Sequence, residues 1–143
     1  MLKWLVQLFK PGNQARHLQS GRWGERQAAR FLKMKRYTML GERVRVGKRD
    51  EIDIVARHGS VLVFVEVKTR RNEQYGRPFD AVNRHKRKCL SRAAVGYLRK
   101  RKLKPDYIRF DVIEVIGEPG DRSPEIRHIE NAFSLDNGYR LWW

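Results

Sequence analysis

Three charged residues stand where a sheet protein has little structural use for them. Asp53 lies in the segment DEIDIVA, and 13 residues later the otherwise apolar run VLVFVEVK carries Glu66 and Lys68. A continuous Val-rich run of this length reads as a strand covered on both faces. An unpaired carboxylate inside it costs several kcal/mol, so Glu66 must find a cation or shift its pKa. Side chains alternate along a strand, so Glu66 and Lys68 share a face. Asp53 falls on the preceding strand of a hairpin turning at residues 57–60. Three charges converging at a sheet edge suggest a divalent metal site. Asp53 and Glu66 are the candidate ligands, with the backbone carbonyl of Val67 as a third. Without the ion, Lys68 is expected to pair with one of the carboxylates.

That chemistry is phosphodiester hydrolysis, which needs an activated water and relief of the charge developing on phosphate. Mg²⁺ (or Mn²⁺) supplies both, and Mg²⁺ is typically held by one or two protein carboxylates with several waters retained. Lys68 would orient the attacking water or stabilise phosphate charge. Glu25 would reach the cluster from a helix as a water-mediated ligand. Its bland alternative is a carboxylate suited to the dipole of a helix's first turn. Lys86 would hold a phosphate from a second helix. Its alternative is a lysine snorkelling at the helix margin.

The elements that must position these groups follow from periodicity. Residues 24–37 read as a helix with Glu25, Ala28, Ala29 and Leu32 on one face. Strands are expected over 38–46, 51–56 and 61–68. In the second, Ile52 and Ile54 are expected on one side and Glu51, Asp53 and Val55 on the other. A loop over 69–79 carries Arg70, Arg71 and Arg77. A helix from Asp80, as its N-cap, to Lys102 turns Val82, Lys86, Cys89, Ala93 and Tyr97 inward. Strands over 106–116 and 125–133 complete the chain, the last at an edge. The expectation is an α/β fold of order αβββαβ plus a final strand. By domain, residues 1–20 are an apolar and basic extension ended by Pro11-Gly12-Asn13, 21–134 the folded unit, and 135–143 an aromatic tail. Trp142 and Trp143 in that tail either cap the core or stack on bases.

The chain has 143 residues and a formal charge of +16. Residues 1–105 hold 28 Lys and Arg against 8 Asp and Glu, whereas 106–143 hold 4 against 8. The excess points to a polyanion partner. The second helix and the residues just after it carry Lys86, Arg87, Lys88, Arg99, Lys100, Arg101 and Lys102 among ten basic residues, with no acid between Asp80 and Asp106. With Arg70, Arg71 and Arg77 these are the candidate nucleic-acid contacts. Cys89 is the single cysteine, which excludes an intrachain disulfide and a Cys-based zinc site and fits a reducing, cytoplasmic compartment. His85 four residues earlier makes a Cys–His nucleophile conceivable, but a small semi-buried thiol is the simpler reading. The apolar start, residues 1–10, is too short to span a bilayer.

Taken in series, GERQAARFL (24–32), DEIDIVA (50–56), VFVEVKTR (63–70), YGRPFDAVNRHKR (75–87), RFDVIEV (109–115) and IRHIENAF (126–133) resemble the YraN family of bacterial proteins, within the PD-(D/E)XK nuclease superfamily. The resemblance implies a restriction-endonuclease-like core with a mixed central sheet flanked by helices. It also implies a site made of Glu25, Asp53, Glu66 and Lys68, and kinship with Holliday-junction resolvases, hence a homodimer. Asp50 stands where the family motif usually has glycine, and no proline precedes Asp53. The functional expectation is a Mg²⁺-dependent endonuclease acting on DNA, more than RNA, with branched or structured DNA as a substrate. Its rivals are a non-catalytic nucleic-acid-binding module of the same fold and an RNA-associated interaction protein.

Overall fold

A computed structural model describes residues 11–143; the apolar segment 1–10 lies outside the described residues. Its order is α1 (Pro11–Met34), β1 (Thr38–Val46), β2 (Asp50–His58), β3 (Val61–Arg70), a 3₁₀ turn (Pro78–Ala81), α2 (Arg84–Arg101), β4 (Tyr107–Ile116) and β5 (Glu125–Phe133). The strands form one five-stranded sheet in the order β1-β2-β3-β4-β5. Every pairing is antiparallel except β3 with β4, which run parallel from Val61–Tyr107 to Arg70–Ile116. A parallel pair needs a crossover, and α2 supplies it. This α/β architecture is that of a restriction-endonuclease-like core.

Even-numbered residues of β3 and β4 face α2, and odd-numbered ones face α1. Phe64, Phe110 and Val112 pack with Leu90, Ala93, Ala94, Tyr97 and Leu98 of α2. Val63, Val65, Val67, Ile113 and Val115 pack with Trp23, Ala28, Ala29 and Leu32 of α1. Two buried layers, one on each side, explain why β3 is apolar at nearly every position.

Three expected boundaries shift. α1 begins at Pro11 and not at Gly24. Pro11-Gly12-Asn13 opens the helix, because proline lacks the N–H that a first turn leaves unpaired. Glu25 therefore sits mid-helix and not in the first turn. At the other end Arg36 takes a left-handed φ of 65° and Tyr37 leaves the helix. α2 begins four residues after Asp80. Asn83 is its N-cap, accepting from the Lys86 N–H at 2.9 Å, while Asp80 accepts from the Arg77 N–H at 2.9 Å in the separate 3₁₀ turn.

The expected alternation in β2 also fails. Ile52 and Val55 lie in the α2-side core, whereas Ile54 and Ala56 lie in the α1-side core. The β2–β3 register ends at the Ile54–Val65 pair. Below it the strands part, and Asp53 sits in the fork.

Candidate active site

The fork is built by an exchange of partners. The Val67 N–H, released from the ladder, donates to Asp53 Oδ2 at 2.8 Å. That bond holds the Asp53 carboxyl beside the residue that follows Glu66. Glu66 is 3% exposed. Its Oε1 pairs with Lys68 Nζ at 3.2 Å and with Lys86 Nζ at 3.4 Å. Same-face placement of Glu66 and Lys68 is thus observed, and Lys86 reaches them from the first turn of α2.

Glu25 approaches from α1. Close packing at Gly24 makes this approach possible: a Cβ there would overlap the Thr69 side chain on β3. Glu25 Oε2 lies 3.8 Å from Arg43 Nε, which also lies 3.8 Å from Glu51 Oε1. Arg43, in β1, has φ of 50°. Nothing in the sequence marked it, because its aim depends on that local left-handed backbone.

The electrostatics record crowding. Burial, then the Glu66 charge, then Glu25, push the Asp53 carboxyl up to about 8, against the Val67 hydrogen bond and Lys86. Burial raises the Glu25 carboxyl as well, opposed by Arg43. Glu66 Oε2 is buried and has no hydrogen-bond partner, the one such side-chain atom among the described residues. A buried acceptor left unmet costs about 1–3 kcal/mol, so its lone pairs call for a ligand. Hard oxygens from Asp53 and Glu66 suit Mg²⁺ or Mn²⁺. No three His, Cys, Asp or Glu side chains among the described residues converge on one point. An ion here would take its remaining ligands from water or from a backbone carbonyl such as that of Val67.

The other candidates divide. Arg70 and Arg71 flank the site at the end of β3, Arg71 in a 3.0 Å exposed pair with Glu118. Arg77 is committed: its guanidinium donates to the buried Glu114 at 2.9 Å. Arg87 is also committed, donating to the Val82 carbonyl at 3.1 Å and stacking over Phe79 and Phe133. Lys88 is exposed near the start of α2. Arg99, Lys100, Arg101 and Lys102 are exposed at the opposite end. Fourteen helical residues separate Lys86 from Lys100, a rise of about 21 Å. Asp50, the departure from the family motif, receives a two-pronged pair from Arg92 at 2.8 and 2.7 Å. That pair holds its carboxyl below the ordinary range and ties α2 to the start of β2. His85 Nε2 lies 3.6 Å from Cys89 Sγ, a contact that i,i+4 spacing gives on any helix. The tail aromatics are about two-fifths exposed. Trp143 Nε1 donates to the Pro105 carbonyl at 3.2 Å, and Arg99 stacks over Trp142.

Sequence reasoning missed Glu114. It is fully buried on β4, directly across from Lys68, and it accepts from the Arg77 guanidinium and from the Phe79 N–H at 3.0 Å. Its only signal was a second acidic residue in an apolar strand.

Residues 24–115 match the uncharacterised protein family UPF0102. The chain belongs to this family. The matched UPF0102 segment contains Glu25, Asp53, Glu66, Lys68, Lys86 and Glu114. UPF0102 proteins of Geotalea daltonii, Symbiobacterium thermophilum and Syntrophotalea carbinolica are 44%, 46% and 45% identical to it over 115, 114 and 121 residues. Those alignments cover 80%, 79% and 83% of this chain and 89%, 94% and 94% of the relatives. The family is the YraN family anticipated from the motifs. Among the described residues, no helix is long and apolar enough to cross a membrane.

Proposed function

We propose that this chain is a metal-dependent nuclease that hydrolyses phosphodiester bonds in DNA, with branched or structured DNA among its substrates. The observation that carries this reading is the buried, unpartnered Oε2 of Glu66, next to the Asp53 carboxyl that the Val67 N–H holds in the fork. Both lysines that reach Glu66 contact its Oε1, so Oε2 keeps lone pairs that a cation shared with Asp53 would meet. Asp53, Glu66 and the Val67 carbonyl would hold Mg²⁺ or Mn²⁺. A hard divalent cation there supplies an activated water and neutralises phosphate charge. Lys68, 3.2 Å from Glu66 and one-fifth exposed, would donate to a phosphate oxygen and orient the attacking water. Lys86 anchors a neighbouring phosphate, and Glu25 orders solvent from the α1 side. The surplus of 32 basic over 16 acidic residues supplies affinity for the backbone.

The test is cleavage of linear, flapped and four-way-branched DNA with Mg²⁺ or Mn²⁺, beside the Glu66→Ala variant. The reading expects metal-dependent cleavage that Glu66→Ala abolishes with binding intact. Binding of every substrate without cleavage by the wild type would refute it.

One observation favours a second reading, a binding module that does not cleave. Glu66 already has two lysine partners, which is also how a structural ion network looks. Removing Glu66 would then strand two ammonium groups and cost on the order of 3 kcal/mol in metal-free melts. Cleavage separates the two readings: Glu66→Ala abolishes it under the first and has none to abolish under the second.

A further inference from the structure

Tyr75 is 95% exposed, more than any other large hydrophobic residue among those described. Exposure of an aromatic ring on a floppy loop would mean little, but this loop is pinned on both sides of it. Two residues earlier, Glu73 takes a two-pronged pair from Arg127 of β5 at 2.6 and 3.0 Å. Two residues later, Arg77 is bound to the buried Glu114 through its guanidinium and to Asp80 through its N–H. Between them the Gly76 N–H closes a turn onto the Glu73 carbonyl at 3.1 Å, with Gly76 at φ 108°, where a side chain would be strained. The Gln74 N–H donates to the Asn72 side chain at 3.0 Å. The turn is therefore held in one shape that turns the ring outward, and no core contact is gained by it.

The surroundings say what the ring is for. It borders a cleft of about 620 Å³ lined by Arg70, Arg71, Asn72 and Arg77. That volume is within the range of small-ligand sites and admits a nucleotide. Arg70 lies two residues beyond Lys68 on β3, about 7 Å along the strand. Glu114, which anchors the far side of the loop, is the cross-strand partner of Lys68. The cleft thus opens at the same end of the sheet as the candidate active site. Arg71 is held by a single exposed pair with Glu118, which a phosphate can replace at little cost. A rigid aromatic ring beside guanidinium groups is how proteins receive a base that has left the helical stack.

Resting on the nuclease reading, we propose that the 70–77 turn is a binding site for an unpaired nucleotide: its base stacks on Tyr75, and Arg70 and Arg71 hold its phosphates. This gives the site a preference for DNA with single-stranded character, such as bulges, flaps and junction centres. Because the ring is already fixed in the exposed position, little ordering cost opposes stacking.

The experiment is equilibrium binding by the full chain in chelator, so that no cleavage intervenes. The probes are a duplex with one unpaired 2-aminopurine and the same duplex fully paired. Tyr75→Ala should weaken binding of the first about tenfold and abolish the change in 2-aminopurine fluorescence. Affinity for the paired duplex should stay within about twofold, since phosphate contacts carry it. Tyr75→Phe should behave as wild type, because stacking needs the ring and not the hydroxyl. The thermal melt of either variant should match wild type, because the ring packs against nothing. Equal weakening on both probes, or wild-type behaviour of Tyr75→Ala on both, overturns the inference and leaves the nuclease reading standing. Failure of the wild type to bind either probe overturns the nucleic-acid reading itself.

Discussion

Replacing Asp53 with Asn should make the metal-free protein more stable, although it deletes a candidate catalytic group. The Asp53 carboxyl rises from 3.8 to about 8 in the fold, first by burial and then by the Glu66 charge. The unfolded chain gives up this proton near pH 4, while the folded chain holds it to about pH 8. The native state therefore binds more protons between those values, and stability falls as pH rises through that window. At pH 7 each unit of difference is worth about 1.4 kcal/mol, so the burden reaches a ceiling of about 4 kcal/mol. Asn removes the ionisation and keeps an oxygen to accept from the Val67 N–H, whose bond to Asp53 is 2.8 Å. In chelator, Asp53→Asn should gain on the order of 10 °C in melting temperature at pH 7, and almost nothing at pH 4. Added Mg²⁺ should raise the wild-type melt, as any ligand that prefers the native state does, and leave the variant unmoved. Scanning calorimetry at the two pH values decides it. A variant no more stable than wild type at pH 7, or one with the same gain at both pH values, would refute the crowded-carboxyl account.

Three further outcomes rest on the packing and charge of the same fold. Gly24→Ala would ordinarily stabilise a helix by about 0.5–1 kcal/mol; here the new Cβ meets Thr69, so a net loss of about 1–3 kcal/mol in denaturant melts and a drop in any cleavage rate are expected. Changing Lys100, Arg101 and Lys102 together to Ala should flatten the salt dependence of DNA binding by up to about three phosphate contacts and raise KM with kcat unchanged, since these residues lie about 21 Å along α2 from Lys86. At the β4–β5 bulge, burial pulls the Asp111 carboxyl up, but hydrogen bonds from His128, Arg109 and the Asn131 N–H hold it below the ordinary value. Its contribution is present above about pH 4 and lost as pH falls below, so Asp111→Asn should lower the melt at pH 7 and blunt the acid limb of the stability curve.

What the sequence made legible was whatever depended on a single strand or helix. The Val-rich run with one carboxylate in it placed Glu66 and Lys68 on a shared face, because alternation is a property of one strand alone. The Ala28, Ala29 and Leu32 stripe identified the inner face of α1 for the same reason. The misses share a different cause. Pro11 reads as a breaker or as a first helical residue depending on what precedes it, so the apolar stripe from Gly24 onward does not reveal that the helix begins there. Asp80 has the chemistry of a cap, yet it closes a 3₁₀ turn, because Asn83 is better placed for the helix that follows. Asp53 disturbs the alternation of Ile52 and Ile54 because β2 leaves β3 at the Ile54–Val65 pair, and where strands part depends on both. The charges misread most often were cations. Arg77, Arg87 and Arg92 look free in the sequence, but each is consumed by a buried carboxylate, a carbonyl or Asp50. Counting basic residues thus overstates what a phosphate backbone can use near the site. Arg70 and Arg71, in exposed contacts with the Thr69 carbonyl and with Glu118, and Lys88 are exposed cations near the site, whereas Lys68 and Lys86 are held by Glu66. That division has a mechanistic consequence. The two lysines sharing Glu66 Oε1 are each more than one-fifth exposed, while the carboxylate is not. Under the proposed nuclease reading, a phosphate entering the fork would draw both lysines away from Glu66 as a cation takes up that carboxylate, so that substrate and metal would each favour the arrival of the other.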